Sequence, residues 1–274
     1  MWSRNVTIAG LAASAFTGCW LYRLRHVNPY RPILERISLA LPEGSGALSG
    51  LRIGFITDIH AGPFIGAEDV WRAVGLLQAV SPDLVLLGGD FVSESPRHLS
   101  AVMPALGELC RAAPLGGVAV LGNHDIFVSE SKLTAALAGQ GIRVLRNESA
   151  EIHWHGGSLW VVGIDETLHG HPLPDRAFAG VPHGEAALVL WHEPEFAAQS
   201  AERGAFAQLS GHTHGGQIRL PGLKPVWLPR HGRKHITGMN EVNGMPVYTA
   251  RGAGIYRPPL RLNCPPEVTL ATLV

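Results

Sequence analysis

Short runs of apolar residues alternate with helix-like segments along the chain from Leu51 onward. Bounded apolar runs of about four to eight residues are typical of strands buried on both faces of a sheet. This pattern predicts strands at Arg52–Thr57, Leu84–Leu87, Val118–Leu121, Leu159–Ile164, Ala187–Trp191, Phe206–Leu209, Pro246–Ala250 and Val268–Val274. Helical spacing predicts helices at Glu68–Val80, Leu99–Arg111, Ser131–Gly139 and Pro194–Glu202. The alternation of the two predicts an α/β domain.

The N-terminus has a different pattern, with 18 uncharged residues from Asn5 to Tyr22. That length is close to the roughly 20 residues that a transmembrane helix needs, and Trp20 suits the membrane interface. We predict an uncleaved, single-pass membrane anchor here. A cleaved signal peptide and a buried helix are the alternatives.

The side of the membrane stays open. The arginines that follow the apolar run outnumber Arg4 before it, which favours a cytoplasmic domain. Against this, Ser3-Arg4 resembles a twin-arginine export signal in which Asn5 replaces the second arginine.

Residues 24–50 contain several prolines and glycines, and no helical or strand period persists through them. This composition predicts a linker. The chain would then consist of an anchor and linker over residues 1–46 and a folded domain over residues 47–274.

Composition narrows the function. The chain has 274 residues, a formal net charge of zero and 16% charged residues, against an ordinary share of about a quarter. A protein that binds nucleic acid through a broadly basic surface is therefore not expected. The three cysteines form no CxxC pair, which excludes a zinc-finger motif and argues against a disulfide framework.

Polar motifs follow the predicted strands, where open α/β sheets bind ligands. They are Asp58-Ile59-His60, Gly89-Asp90, Gly122-Asn123-His124-Asp125, His192 and Gly211-His212-Thr213-His214. Carboxylate, amide and imidazole ligands without thiolate suit Mn, Fe, Zn or similar ions in an open catalytic site. One carboxylate can bridge two cations about 3.5–4 Å apart. The preceding glycines would allow close backbone approach.

Each motif alone has an ordinary structural explanation. Asp58-Ile59-His60 fits a surface turn, Gly122-Asn123 fits an Asx turn, and a single histidine such as His192 fits a core position. Because all the motifs occur in order and at strand ends, we favour a two-metal site.

The same motifs resemble a known family. ITDIH, GGD, GNHD, LWH and SGHTHGGQ are similar to the signature of the calcineurin-like metallophosphoesterase superfamily, from residue 51 to the C-terminus. GHTHGGQIRLPG and RLNCPPEVTLATL resemble a bacterial subgroup that often carries an N-terminal membrane segment. The resemblance implies a sandwich of two mixed β-sheets flanked by helices, a metal-dependent hydrolase, and an anchor in a bacterial inner membrane.

The resemblance also assigns roles. One divalent ion would be held by Asp58, His60 and His214, a second by Asn123, His192 and His212, with Asp90 bridging both. His124 would protonate the leaving oxygen of the phosphoester or stabilise the charge that develops there, and Asp125 would orient His124. Ser93 stands where many relatives have a second aspartate, which affects the orientation of the site.

Substrate contacts are less well defined. Asp165, Arg233 and Arg251 are candidates, and ordinary solvated loops are the alternative. The expected substrate is a phosphate-containing small molecule or lipid, for example the lipid-linked diphosphate UDP-2,3-diacylglucosamine. A soluble phosphodiesterase or phosphomonoesterase, and a metal-binding module without activity, are the other hypotheses.

Overall fold

The computed structural model describes residues 17–19, 21–225 and 227–274. Most of the predicted anchor, Asn5–Tyr22, lies outside the described residues. Within them, residues 21–26 are helical, and no helix combines the length and apolarity needed to traverse a bilayer. The anchor and its membrane therefore stay predictions.

The described strands form two six-stranded mixed sheets. The first contains β1 (Ile33–Leu39), β2 (Arg52–Ile56), β3 (Leu84–Leu87), β4 (Gly117–Ala119), β5 (Arg143–Val144) and β12 (Glu267–Leu273). The second contains β6 (Glu148–Trp154), β7 (Gly157–Ile164), β8 (Ala186–Trp191), β9 (Ala207–Ser210), β10 (Gly238–Val242) and β11 (Met245–Thr249). Their orders are β1-β12-β2-β3-β4-β5 and β10-β11-β9-β8-β7-β6.

Helices cover the outer faces of the two sheets. They are α1 (Ala67–Gln78), α2 (Leu99–Ala112), α3 (Asn123–Ala138), α4 (Pro174–Phe178) and α5 (Ala197–Ala201). In the first sheet, β2 to β5 run parallel while β12 is antiparallel to β2. The predicted sandwich of two mixed sheets with flanking helices is confirmed.

Side chains of β3 show why its apolar run is unbroken. Leu84 and Leu86 belong to the core between the sheets, whereas Val85 and Leu87 pack in the core under the helices. Successive side chains of a strand point to opposite faces, so a sheet covered on both sides needs apolar residues throughout. This arrangement places the carboxyl ends of β2, β3 and β4 at one rim of the sandwich.

The linker prediction for residues 24–50 is wrong at Ile33–Leu39. This segment is β1, which pairs in parallel with β12 from Ile33↔Glu267 to Leu39↔Leu273. Only Leu39 of the strand is buried, because β1 lies at the edge of its sheet. An edge strand with so little burial lacks a continuous apolar run, and the folded domain begins before residue 47.

The helix predicted at Ser131–Gly139 is longer than expected. It begins at Asn123, inside the predicted metal motif, and Ser129 interrupts its helical geometry at φ 176° and ψ 94°. Gly122 is the N-cap residue, and its backbone N–H donates to the Asp125 carboxylate at 3.0 Å at the start of the helix after β4. The motif therefore sits at a helix N-terminus.

Candidate active site

The predicted metal ligands converge at one rim that both sheets contribute to. Asp58 and His60 follow β2, Asp90 follows β3, Asn123 opens α3, His192 follows β8, and His212 and His214 follow β9. All of them are buried except Asn123, which is half-buried. Residues up to 156 positions apart in sequence thus share one site.

Asp90 lies at the centre of the cluster. The Nε2 atoms of His60 and His192 each lie 3.3 Å from its Oδ2 atom. On one side, His214 Nε2 lies 3.5 Å from Asp58 Oδ1. One oxygen of Asp90 therefore faces ligand atoms contributed by both sheets, as a bridging carboxylate requires.

His212 and Asn123 form the far side of the cluster. The Nδ1 atom of His212 lies 3.0 Å from Asn123 Oδ1. Ligand atoms also lie within 4.8 Å of one another in three overlapping sets, which are Asp58/His60/His214, His60/Asp90/His124 and Asp58/Asp90/His192. The overlap at Asp58, His60 and Asp90 is the arrangement expected of two adjacent ions.

Five of the candidate ligands adopt left-handed backbone conformations. Their φ angles are 53° at Asp58, 50° at His60, 55° at Asp90, 68° at His212 and 51° at His214. Such conformations cost of order 1–3 kcal/mol each in non-glycine residues and cluster at functional sites. The turns aim successive side chains into the rim instead of letting them continue the strand.

Two glycines allow the loops to approach these carboxylates. A Cβ atom on Gly122 would clash with Asp90 Oδ1, and one on Gly211 would clash with Asp58 Oδ2. Any larger residue would displace a ligand. The predicted role of these glycines in close backbone approach is confirmed.

Backbone carbonyls orient the imidazole rings. The Nδ1 atom of His192 lies 2.7 Å from the carbonyl oxygen of Gly88, and Nε2 of His212 lies 2.6 Å from that of Arg230. A ring nitrogen that donates to a carbonyl leaves the other nitrogen unprotonated in the neutral ring. These partners expose Nε2 of His192 and Nδ1 of His212 to the cluster.

The donor set fits two divalent cations. Among the described residues, Nε2 of His60 and Nε2 of His192 are buried and make no hydrogen bond of good geometry, although each lies 3.3 Å from Asp90 Oδ2. Burial opposes the charged form of Asp90, yet His192 and His124 hold its pKa well below the ordinary value. Burial likewise opposes the charge on His192, but Asp90 raises the pKa of His192 well above normal. Buried positive charge therefore stabilises this carboxylate, and bound cations would supply it together with Lewis acidity toward a phosphoryl group.

His124 lies beside the cluster. Its Nδ1 atom is 3.0 Å from the carbonyl oxygen of Ser93, and its backbone N–H donates to Asp90 Oδ1 at 2.8 Å. The ring packs 4.6 Å from that of Tyr256. Burial lowers the pKa of the His124 imidazole. The ring is thus held in place next to the central carboxylate.

The expectation that Asp125 orients His124 needs correction. The Asp125 carboxylate accepts hydrogen bonds from the backbone N–H groups of Asp90 (2.7 Å), Phe91 (2.9 Å) and Gly122 (3.0 Å). Asp125 therefore fixes the loops after β3 and β4 to each other, because its side chain points back from the helix N-terminus. The Ser93 carbonyl orients the ring instead.

Ser93 also supports His60. Its hydroxyl donates to the carbonyl oxygen of His60 at 3.0 Å and lies 3.3 Å from Nδ1 of the same residue. Ser93 therefore supplies a polar contact to the candidate ligand His60 without an aspartate at this position. The departure from the expected pattern changes the supporting group and leaves the ligands in place.

A pocket of 190 Å³ opens over the cluster. Besides candidate ligands and His124, its lining includes Leu168, Trp227, Pro229, Arg230 and Tyr256. Leu168, Trp227 and Tyr256 were not predicted as site residues, because a single apolar or aromatic residue in a loop gives no signal in the sequence.

The three predicted substrate contacts lie elsewhere among the described residues. Asp165 is buried and accepts from Arg146 Nη2 at 2.7 Å. Arg251 forms ion pairs with Glu35 and Glu267. Arg233 follows the pocket residue Arg230 on the same loop, and its backbone N–H donates to Glu195 at 3.0 Å. The first two side chains hold structural ion pairs, which explains why charged residues occur there.

Known proteins resemble this chain. Residues 51–216 match the calcineurin-like phosphoesterase family. The chain is 32% identical to the phosphodiesterase YaeI of Escherichia coli, with 100% of both chains covered. It is 31% identical to the uncharacterized metallophosphoesterase YkuE of Bacillus subtilis, over 86% of this chain and 82% of that one. Among solved structures, a dimetal phosphatase from Danio rerio aligns with a TM-score of 0.48 and 14% identity, over 77% of this chain and 90% of that one.

The family match covers the strands and loops that carry most of the cluster, from β2 to the second histidine after β9. Together with the buried Asp and His sets, it identifies a metal-dependent hydrolase site. The chain belongs to the calcineurin-like phosphoesterase family, whose members use two divalent metal ions.

Proposed function

We propose that the protein hydrolyses a phosphodiester or a phosphoanhydride at a site where Asp90 would hold both of two cations and His124 acts on the leaving group. The observation that carries the proposal is the position of Asp90 Oδ2, 3.3 Å from histidine nitrogens of both sheets. The E. coli relative is named a phosphodiesterase, which supports a diester.

The residues of this chain divide the chemical tasks. Because Nδ1 of His124 donates to the Ser93 carbonyl, Nε2 is the nitrogen left to face the leaving oxygen. It passes a proton to that oxygen only from the imidazolium form, and the ring then becomes neutral with Nδ1 still protonated. Arg230 and Tyr256 line the same pocket, where they can contact a bound phosphate group. Leu168 and Trp227 give the pocket an apolar wall, which limits access of bulk water.

A narrower proposal concerns the substrate. A lipid-linked diphosphate such as UDP-2,3-diacylglucosamine would reach the pocket if the uncharged run Asn5–Tyr22 anchors the chain in a membrane. The apolar wall of the pocket supports an apolar substituent near the phosphate. Soluble phosphodiesters and phosphomonoesters are the alternative substrates.

The test uses the purified full chain with Mn²⁺ and two diesters that differ in leaving group, one with p-nitrophenolate and one with an alkoxide. Loss of a proton donor harms the poor leaving group more. We expect His124→Ala to reduce turnover of the alkyl diester by about 10²–10⁴-fold, and turnover of the aryl diester far less. Bound Mn²⁺ should be unchanged.

His153→Ala is the matched control, since this exposed histidine lies on β6, in the sheet edge remote from β9. An equal loss with both diesters would contradict proton transfer by His124. If the parent chain shows no turnover of either diester or of the lipid diphosphate with any metal, it is a binding module.

A further inference from the structure

The loop after the last metal motif concentrates positive charge. We call residues 219–236 the basic loop. It contains five cationic residues and no acidic one, although the chain as a whole has a formal net charge of zero. The cations are Arg219, Lys224, Arg230, Arg233 and Lys234. Such segregation creates a local positive surface that the composition of the chain hides.

The same loop exposes large apolar side chains. Leu220 is 41% exposed, Leu223 65% and Trp227 45%. The N–H of Leu223 donates to the carbonyl of Leu220 at 3.1 Å, with Pro221 between them and Gly222 at φ 74°. These are the features of a type II turn, which holds its first and last residues close together. The two leucines therefore form one apolar tip.

Hydrogen bonds fix the base of the loop. The N–H of Arg219 donates to the carbonyl of Leu262 at 3.0 Å, and the hydroxyl of Thr213 donates to the carbonyl of Ile236 at 2.6 Å. Both contacts tie the loop to segments that flank the metal cluster. The exposed tip thus belongs to a loop whose first and last residues are held by the folded domain.

We propose that the basic loop docks the folded domain on an anionic lipid bilayer. Leu220, Leu223 and Trp227 enter the interfacial region, and the lysine and arginine side chains bind lipid phosphates. This combination of leucine, tryptophan and clustered cations is the chemistry of peripheral membrane attachment. A nucleic-acid surface would leave the leucine tip in water, and an ordinary protein partner would not require so many cations.

Docking also orients the active site. Trp227 and Arg230 line the pocket over the metal cluster while belonging to the basic loop. A bilayer bound by the loop therefore meets the mouth of the pocket. This attachment is separate from the N-terminal run, and it does not depend on the proposed hydrolysis.

The test places an environment-sensitive dye at the tip. The full, metal-free chain carries Leu223→Cys together with Cys19→Ser, because Cys19 is exposed whereas Cys110 and Cys264 are buried. Vesicles of phosphatidylcholine and phosphatidylglycerol are added. We expect the dye emission to shift to the blue and to be quenched by brominated lipid. Dye at His153→Cys should not respond in the same vesicle-bound protein. Equal responses at both positions, or no response at residue 223, would overturn the proposal.

A charge test identifies the surface that is bound. In the dye-labelled chain, Lys224→Gln, Arg233→Gln and Lys234→Gln together should weaken insertion by about fivefold per cation removed. The control removes three exposed arginines outside the loop, Arg111, Arg143 and Arg176. Losses of equal size would show that net charge alone drives binding and would overturn docking by this loop. Neither the dye experiment nor the charge experiment measures turnover. A failed hydrolysis assay would therefore not change what these two experiments show about docking.

Discussion

Glu193 lies directly after the candidate ligand His192 and is fully buried. Its Oε1 atom accepts from the N–H of Thr167 at 3.2 Å, while Oε2 has no partner among the described residues. Burial, together with the nearby Glu166, raises the pKa of Glu193 to about 8, although His192 opposes the shift. In the metal-free protein this carboxyl therefore holds a proton near neutral pH.

Glu193→Gln tests that protonation state. A folded-state pKa raised from 4.5 to about 8 means that the folded protein binds more protons between these values. The stabilisation is full below pH 4.5 and is lost as the pH rises toward 8. The free energy of unfolding of the metal-free parent should fall by up to about 1.4 kcal/mol per pH unit from this group. In the glutamine variant, that part of the slope should be absent.

The measurement is urea unfolding at several pH values between 6 and 9 in the presence of a chelator. Glu195→Gln is the control, because Glu195 is a nearby, partly exposed glutamate. Parallel pH profiles for the parent and Glu193→Gln would show that Glu193 is ionised in the fold.

At the scale of single residues, the sequence indicates the candidate ligands more clearly than the groups that support them. Asp90 and His192 stand out as candidate ligands because their types and their positions after strands are visible in the sequence. The groups that orient the rings are backbone carbonyls, such as those of Gly88, Ser93 and Arg230. Every residue has such a carbonyl, so only the folded geometry distinguishes these three.

Among the elements, the central strands were predictable and the edge strands were not. β3 and β8 are buried throughout and carry continuous apolar runs. β1 and β10 lie at the edges of their sheets and mix exposed and half-buried residues. An edge strand is held in its sheet mainly by pairing with one neighbouring strand. The amino-acid composition of the strand does not reveal that pairing.

Removal of β1 tests the corrected domain boundary. A chain beginning at residue 41 lacks β1 and its buried Leu39, and it exposes the pairing edge of β12. We expect it to lose at least the roughly 1.5–3 kcal/mol that a buried leucine contributes. Its Tm should fall by several degrees, and the free edge should promote aggregation.

A chain beginning at residue 28 retains β1 and is the control. Differential scanning calorimetry and light scattering on the two chains, without metal, give the comparison. Equal Tm values would mean that the parallel pairing of β1 with β12 contributes nothing to the stability of the domain.

For the molecule as a whole, the metal site is also a connection between the two sheets. Asp58 and Asp90 extend from the first sheet, and His192 and His214 from the second. Apolar packing joins the sheets along their length, whereas polar ligands occupy the rim. Cations bound only by the folded arrangement stabilise it by mass action, in addition to any role in hydrolysis.

Asp90→Asn tests this connection, because a neutral amide cannot bridge two cations as a carboxylate does. At a free Mn²⁺ concentration about 100 times Kd, each bound ion should add roughly 2.7 kcal/mol to the stability of the parent. The variant should lose most of that increment. The increment is the relevant quantity, since replacing a buried carboxylate also changes the stability of the metal-free protein.

Asp175→Asn, at a side chain 91% exposed, should respond like the parent. Thermal unfolding with chelator and with Mn²⁺ gives both values for each protein. If Asp90→Asn kept the full increment, the ions would bind without a shared carboxylate, and the two sheets would not be joined through this residue.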